Sequence, residues 1–157
     1  NGQNTINSNF NNLNQTIVVG IWETLSSNTD YSPYNIDSNW LFEFGENQLI
    51  NTEYISVSNS YTRITMIKSG WYKIHLSVIL SSISDNSVYS MRFYKNSVIH
   101  GYTSYVIGDL PFIYMDGTVF IECNATDYIE INAYSADDFS PFALDKYNHL
   151  TIEYVVV

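Results

Sequence analysis

A chain of 157 residues can form one domain that buries roughly two-thirds of the surface exposed by its unfolded form, so a core requires neither a metal nor a disulfide. Its formal net charge of -10, from 6 basic and 16 acidic residues, argues against nucleic acid or an anionic membrane as a partner. The single cysteine, Cys123, excludes an intrachain disulfide framework, and no apolar run approaches the roughly 20 residues needed for membrane insertion.

The first sixteen residues are rich in Asn and carry three apolar anchors, Ile6, Phe10 and Leu13. Such a polar segment buries too little apolar surface to offset the entropy lost on ordering. We therefore predict a linker or the end of a stalk over residues 1–16, followed by one head domain over residues 17–157.

From Thr16 onward, short β-branched and aromatic runs alternate with Asn, Asp, Ser and Gly, a pattern typical of strands joined by turns, and no stretch has a helical pattern. The number and spacing of the runs predict an all-β sandwich or jelly roll. In chain order, the predicted strands are Thr16–Leu25, Trp40–Phe44, Leu49–Val57, Tyr61–Lys68, Trp71–Leu80, Tyr89–Tyr94, Val98–Ile107, Val119–Cys123, Ile129–Ala133 and Leu150–Val156.

Period-two alternation assigns one face of several strands to the core. It places Tyr89 and Phe93 on the same face as Met91, and residues 84–87 have turn composition, which predicts that this strand forms a hairpin with Trp71–Leu80. Residues 124–127 have turn composition as well. The other inward sets are Tyr72, Ile74, Leu76, Val78 and Leu80; Val119, Ile121 and Cys123; Ile129, Ile131 and Ala133; and Leu150, Ile152, Tyr154 and Val156.

The order of several motifs matches a known superfamily. Residues 63–74 run from a β stretch through Gly70-x-Tyr72 into a long strand, and residues 117–123 and 128–132 have the pattern of a later hairpin. Phe93–Asn96 precedes a turn that lacks its usual Gly, and Leu150–Val157 occupies the place of a closing strand. Together these residues resemble the superfamily of tumour necrosis factor (TNF) and the complement 1q globular head.

The resemblance spans roughly Trp40 to Val157. It implies a TNF-like jelly-roll β-sandwich of about ten antiparallel strands. It also implies assembly as a homotrimer, ligand binding at outer loops or at grooves between protomers, and no catalysis. Because turn glycines of the pattern are missing, the identity of a ligand is not carried over.

Outward aromatic side chains give the trimer independent support. Phe120, Tyr128 and Tyr134 oppose the buried sets of their own strands, and exposed apolar groups in a row usually mark an interface. We predict that these three form the trimer interface, with Trp22 and Tyr154 as further members. The alternative is that long loops of the same chain cover these rings.

The 14 tyrosines suggest ligand binding, because Tyr offers rigid amphipathic contact area at low entropic cost. We predict an exposed loop patch at Tyr102 and Tyr105, near Gly101 and Gly108, and a second patch at Tyr31 and Tyr34. Alternatively, these tyrosines are ordinary strand residues.

Three acidic residues around Ser140-Pro141, namely Asp137, Asp138 and Asp145, could provide oxygen ligands to calcium. The spacing of a known calcium loop is absent, so solvated loop acids are the alternative. No other cofactor is predicted.

Motifs for catalysis are missing, including Gly-x-Ser-x-Gly, His-Glu-x-x-His and phosphate-binding glycine loops. Cys123 lies on an inward strand face, which favours a small buried hydrophobe over a nucleophile. Glu130 and Glu153 could form a glycosidase pair in space, but nothing in the sequence pairs them. The chain is therefore not predicted to be an enzyme.

These observations predict a trimeric head of a fibre, spike or secreted oligomer that binds a cell-surface protein or glycan. The composition, rich in Asn, Ile and Tyr, fits the tip of a viral or phage fibre, which places the chain outside a cell or on a virion surface. Two other functions remain open: a structural capsid or trimerisation module without a ligand, and a carbohydrate-binding module of an enzyme, for which Trp22, Trp40 and Trp71 are the stacking candidates.

Overall fold

The computed structural model describes residues 15–23, 40–42, 48–59, 61–109, 111–135, 137, 139–141 and 147–156. The predicted strand Thr16–Leu25 ends earlier, at Trp22, and the predicted Leu49–Val57 is two strands separated by a turn. The strands are β1 (Thr16–Trp22), β2 (Trp40–Leu41), β3 (Leu49–Ile50), β4 (Ile55–Ser58), β5 (Arg63–Met66), β6 (Gly70–Ser81), β7 (Val88–Lys95), β8 (Val98–Ile107), β9 (Phe112–Cys123), β10 (Tyr128–Ser135), β11 (Ser140–Pro141) and β12 (His149–Val155).

The described residues form two antiparallel sheets, which confirms the predicted all-β sandwich. In sheet A, β6 pairs along its length with β9 on one side and with β12 and then β11 on the other, and β12 continues through β1 to β3. In sheet B, the strand order is β4-β5-β10-β7-β8, and β2 pairs with the C-terminal half of β10. No helix in the described residues is long and apolar enough to cross a membrane.

The core lies between the two sheets, and period-two alternation predicts most of it correctly, although Val119 and Val156 of the predicted inward sets are only half-buried. The inward sets of β6, β7 and β10 are fully or almost fully buried, as are Ile121, Cys123, Leu150 and Ile152. Tyr154 packs against the edge of this core rather than within it. Burial of these side chains is the main stabilising contribution, at roughly 25 cal/mol for each Å² of apolar surface removed from water.

Both predicted hairpins are wrong. Strand β6 lies in sheet A and β7 lies in sheet B, so the turn over residues 84–87 crosses between the sheets. The same holds for β9 and β10, which are joined by residues 124–127 but do not pair. Alternation identifies the buried face of a strand but not its partner, because both sheets bury the same kind of face.

A tight hairpin does join β7 to β8, where Lys95 faces Val98 across Asn96 and Ser97. Both turn residues have positive φ, at 50° and 66°, as a type I′ turn requires. Ser97 thus stands where glycine is common. Side-chain hydrogen bonds support the turn: Asn96 donates to Asp127 at 2.7 Å, and Ser97 Oγ lies 2.7 Å from the Tyr128 hydroxyl.

Asp127 links this hairpin to the β9–β10 turn. Hydrogen bonds from the Asn96 side chain and from the Asn124 backbone N–H, together with Lys95 at 3.1 Å, hold the pKa of Asp127 below its usual value. A lowered folded-state pKa stabilises the fold above the unfolded pKa of about 3.9, and this contribution is lost as the pH falls through the folded pKa.

We expect Asp127→Asn to lower the free energy of unfolding by about 1–2 kcal/mol at neutral pH, because charge-assisted hydrogen bonds become neutral ones. Chemical denaturation at a series of pH values measures the effect. The difference between the two proteins should shrink below about pH 4. A difference that stays constant down to acidic pH would contradict this role of the carboxylate.

The Gly70-x-Tyr72 motif has a structural basis at the start of β6. Gly70 has a φ of 148°, and a Cβ at this position would lie 2.6 Å from the Tyr154 ring. The Tyr154 hydroxyl donates to the Ser69 carbonyl at 3.1 Å, and the Tyr72 hydroxyl donates to the Lys68 carbonyl at 2.6 Å. Glycine at position 70 therefore lets the backbone pass close to the Tyr154 ring, while hydrogen bonds hold the hydroxyls of Tyr154 and Tyr72 in place.

Gly70→Ala should destabilise the protein by about 2–3 kcal/mol, because the new methyl group adds backbone strain and collides with a ring that cannot move freely. Gly101→Ala is the matched control, since a Cβ there meets nothing within 4 Å. Thermal or chemical unfolding of the two variants tests the prediction, and equal stabilities would refute it.

Candidate functional site

The predicted interface residues do not share one surface. Phe120 extends from β9 on the outer face of sheet A, whereas Tyr128 and Tyr134 extend from β10 on the outer face of sheet B. All three point away from the core, as predicted, but towards opposite sides of the sandwich. The structure therefore divides the predicted interface into two separate surfaces.

The first surface is the outer face of sheet A, here called the aromatic face. Phe112, Tyr114 and Phe120 on β9 and Trp71 on β6 are exposed there, and Tyr114 is 60% exposed. Near one end, an open cleft of about 330 Å³ is lined by Ile79, Phe112, Ile113, Tyr114 and Tyr147. Single exposed apolar residues are ordinary on a protein surface, but several large exposed rings on one sheet face are typical of an interface.

A polar band crosses the aromatic face between Tyr114 and Phe120. His75 Nε2 lies 3.2 Å from an Asp116 carboxylate oxygen, and its Nδ1 lies 2.9 Å from the Thr118 hydroxyl. In the next row, Lys73 pairs with Glu153 at 3.0 Å. Hydrogen bonds from Lys73 and then from Thr16 hold the pKa of Glu153 below its usual value. Lys73 and Glu153 of this band therefore neutralise each other inside the protomer.

The prediction that Trp22 belongs to the interface is wrong. Its side chain is fully buried in the core of the protomer. The register of β1 shifts between Val18 and Gly20, which reverses the alternation and turns Trp22 inward. Tyr154 is half-buried, with its ring centroid 4.9 Å from that of Tyr54 and 5.3 Å from that of Tyr72. The proposed interface therefore no longer includes Trp22.

The second surface is the outer face of sheet B around Arg92, Tyr102, Tyr105 and Tyr134, here called the Arg–Tyr face. The guanidinium carbon of Arg92 lies 3.8 Å from the ring centroid of Tyr134 and 5.8 Å from that of Tyr102. Three neighbouring strands, β10, β7 and β8, contribute these groups. The structure thus brings a predicted interface residue together with a predicted ligand-binding residue through an arginine that the sequence did not single out.

Tyr102 and Tyr105 are exposed, at 57% and 68%, as a binding role requires. They lie within strand β8, however, so the prediction of a loop patch is wrong. Thr103 is an extra residue in the pairing of β8 with β7, because Met91 faces Ser104 while Arg92 faces Tyr102. This bulge shifts the alternation by one residue, so that both tyrosines project from the same side of the strand. Tyr31 and Tyr34 lie outside the described residues.

A second arginine flanks the same surface. The guanidinium carbon of Arg63 lies 3.8 Å from the Tyr128 ring centroid, and its Nε and one terminal nitrogen donate to a Glu130 oxygen at 3.1 and 3.0 Å. Glu130 is buried, so the ion pair neutralises a carboxylate that has little access to water. Glu130 and Glu153 lie in different sheets and each pairs with a cation, so the described geometry does not form a glycosidase pair.

The calcium prediction remains untested, because Asp138 and Asp145 lie outside the described residues. Asp137 accepts a hydrogen bond from the Ser87 hydroxyl, and its backbone N–H donates to Ser135 Oγ at 3.1 Å. Within the described part of the chain, no three His, Cys, Asp or Glu side chains cluster at metal-binding distance.

Cys123 is the last residue of β9, and its side chain points into the core. Burial raises the pKa of its thiol to about 11. Roughly one thiol in ten thousand would then be ionised at pH 7, and the thiolate is the nucleophilic form. We expect a thiol reagent to modify the folded protein at least ~100-fold more slowly than the denatured protein. Equal rates, followed by absorbance of the released chromophore, would contradict the burial of this side chain.

No protein-family model and no curated protein matches the sequence. Solved structures do resemble the fold. One is pika GITRL, with a TM-score of 0.53 and 14% identity over 90% of this chain and 97% of that chain. Another is murine APRIL, with a TM-score of 0.60 and 8% identity over 89% of this chain and 99% of that chain. Both are TNF-family ligands, so the comparisons confirm the predicted fold.

Proposed function

Because the chain has a TNF-like jelly-roll fold, we propose that it is a non-enzymatic, homotrimeric binding head that recognises a cell-surface protein or glycan. The observation that carries this proposal is the aromatic face, where Phe112, Tyr114 and Phe120 are exposed on one side of the sandwich. The head belongs to a fibre, a spike or a secreted oligomer and acts outside a cell or on a virion surface.

Burial of the aromatic face between copies removes its rings from water without adding any other component. When two different surfaces of a protomer meet in a head-to-tail contact, the assembly closes into a ring if the rotation allows it. The resemblance to TNF implies that this ring has three members.

Trimeric assembly makes a weak binding surface effective. Three copies of one site on a single particle raise the effective concentration of the second and third contacts, so that avidity can exceed the affinity of one site by about 10²–10⁴. The Arg–Tyr face is supported as the binding surface because it lies on the sheet opposite the aromatic face. A carbohydrate-binding module with three stacking tryptophans is disfavoured because Trp22 is buried.

The experiment compares the fluorescently labelled wild-type head with Tyr114→Asp, the variant expected to be monomeric. Flow cytometry measures how much of each protein stays bound to a panel of cells. We expect the wild type to bind at least ~100-fold more tightly than the monomer, because avidity is lost with the trimer. Binding of the wild type to no cell type would favour a structural module without a ligand. Equal binding of trimer and monomer would contradict the avidity argument.

A further inference from the structure

Charge distinguishes the Arg–Tyr face from the rest of the molecule. The described strands of sheet B contain a single acidic residue, Glu130, and Arg63 neutralises it. Of the two arginines of the sequence, Arg92 lies on this face and Arg63 flanks it on the same side of sheet B, whereas the chain as a whole has a net charge of -10. Arg92 forms no ion pair with a described residue. The face therefore has a local positive charge that is complementary to an anionic group.

The side chain of Arg92 is held in position before any ligand arrives. The Tyr134 ring lies against its guanidinium group at 3.8 Å, and the Tyr102 ring lies on its other flank at 5.8 Å. Its Nε is buried and has no hydrogen-bond partner among the described residues. A guanidinium is a planar fork of donors that matches a carboxylate, and the half-buried Arg92 side chain keeps its terminal nitrogens as the donors for such a group.

Two tyrosine rings extend the surface next to Arg92. The bulge at Thr103 places Tyr102 and Tyr105 on the same side of β8, and both are more than half exposed. Each ring offers an apolar face to the C–H groups of a saturated ring and a hydroxyl to its polar substituents. An acidic sugar presents both chemistries together: a puckered ring with C–H groups and hydroxyls, and one carboxylate.

The alternative ligand, an extended acidic peptide, would add a strand along β8. The edge of β8 is poorly suited to this, because bulges at His100 and Thr103 interrupt its pairing pattern. The Thr103 carbonyl also lies against β9, since a Cβ on Gly117 would be only 2.3 Å from its oxygen. Recognition by side chains of the open face is therefore favoured over recognition by the strand edge.

Building on the proposed function, we infer that the Arg–Tyr face binds a carboxylated saccharide, such as a sialic acid or uronic acid unit. Arg92 pairs with the carboxylate, and Tyr102 and Tyr105 pack against the sugar ring. Arg63 does not contact the ligand; it neutralises Glu130, so that this carboxylate does not repel the sugar.

The test uses the wild-type protein on an array of sialyllactose and hyaluronan fragments, with lactose as the neutral counterpart and polyglutamate as an acidic peptide. We expect binding to the acidic saccharides that weakens as salt is added. Arg92→Gln should lower the affinity at least tenfold, and Tyr102→Ala should do the same, since each removes one contact worth about 1.4 kcal/mol or more. Lys68→Gln removes a positive charge elsewhere and Tyr61→Ala removes an exposed ring elsewhere, so both controls should bind like the wild type.

Several outcomes would overturn the inference: equal binding to lactose, binding to polyglutamate alone, no binding to the array, or unchanged affinity of both Arg92→Gln and Tyr102→Ala. These outcomes are distinguishable from failure of the proposed function. If the wild type binds cells and that binding is lost after protease treatment of the cells, the head recognises a protein, and only the saccharide inference fails. If the wild type is a monomer or binds no cells, the proposed function itself fails.

Discussion

Replacement of Tyr114 by Asp should convert the proposed trimer to monomers while leaving each protomer folded. In a single protomer the Tyr114 side chain is 60% exposed and borders the cleft of the aromatic face, so the fold does not depend on its burial. In the proposed trimer the same position would be desolvated, and a carboxylate without a partner there would cost several kcal/mol per ion. The substitution also occurs three times around one axis, which adds repulsion between like charges.

Size-exclusion chromatography with light scattering at micromolar concentration measures the change directly. The matched control is Tyr61→Asp, since Tyr61 is 57% exposed but lies in the turn between β4 and β5, away from the aromatic face. The control should remain trimeric, and Tyr114→Phe should remain trimeric as well. A trimer of Tyr114→Asp with undiminished stability would show that the aromatic face is not the interface.

The second large effect is expected at Arg63. Removing its side chain leaves the buried Glu130 carboxylate without its cation, and breaking a buried ion pair from one side costs about 3–5 kcal/mol. We expect Arg63→Ala to lower the free energy of unfolding by about 3 kcal/mol, near the lower end of this range. The reason is that the arginine side chain is 31% exposed, so water can partly replace it.

A double variant separates the cost of an unpaired charge from the loss of packing. In Arg63→Met with Glu130→Leu both charges are absent, so most of the lost stability should return. Urea denaturation of the three proteins at one fixed protomer concentration gives the comparison, because the stability of an oligomer depends on concentration. If the double variant is as unstable as Arg63→Ala, the loss arises from packing and the electrostatic explanation is wrong.

The sequence predicted the buried faces of the strands well because period-two alternation is a local property. Partners between strands are not local: β6 pairs with β9 and β12, which follow much later in the chain, and no short window contains that information. The two predicted hairpins failed for this reason. The bulges in β1 and β8 could not be recognised in the sequence either. Each bulge reverses the alternation beyond it, so that Trp22 and Tyr105 project from the opposite side to the one that strict alternation predicts.

Part of the candidate site could have been found in the sequence. The prediction began β9 at Val119, because Asp116, Gly117 and Thr118 interrupt its apolar pattern, and so it missed Phe112 and Tyr114. Alternation of Phe112, Tyr114 and Asp116 with Ile113 and Met115 does mark this earlier half as a strand with outward rings. The stacking of Arg92 on Tyr134 and Tyr102 could not be predicted, since it depends on the register of three strands.

Sedimentation equilibrium of the unmodified protein, from micromolar to low nanomolar concentration, tests the central claim most directly. Burial of three aromatic faces predicts a particle of three times the 18.0 kDa protomer mass over most of this range, dissociating only at the lowest concentrations. A single species of 18.0 kDa with a folded β-sheet spectrum throughout would contradict the trimeric head.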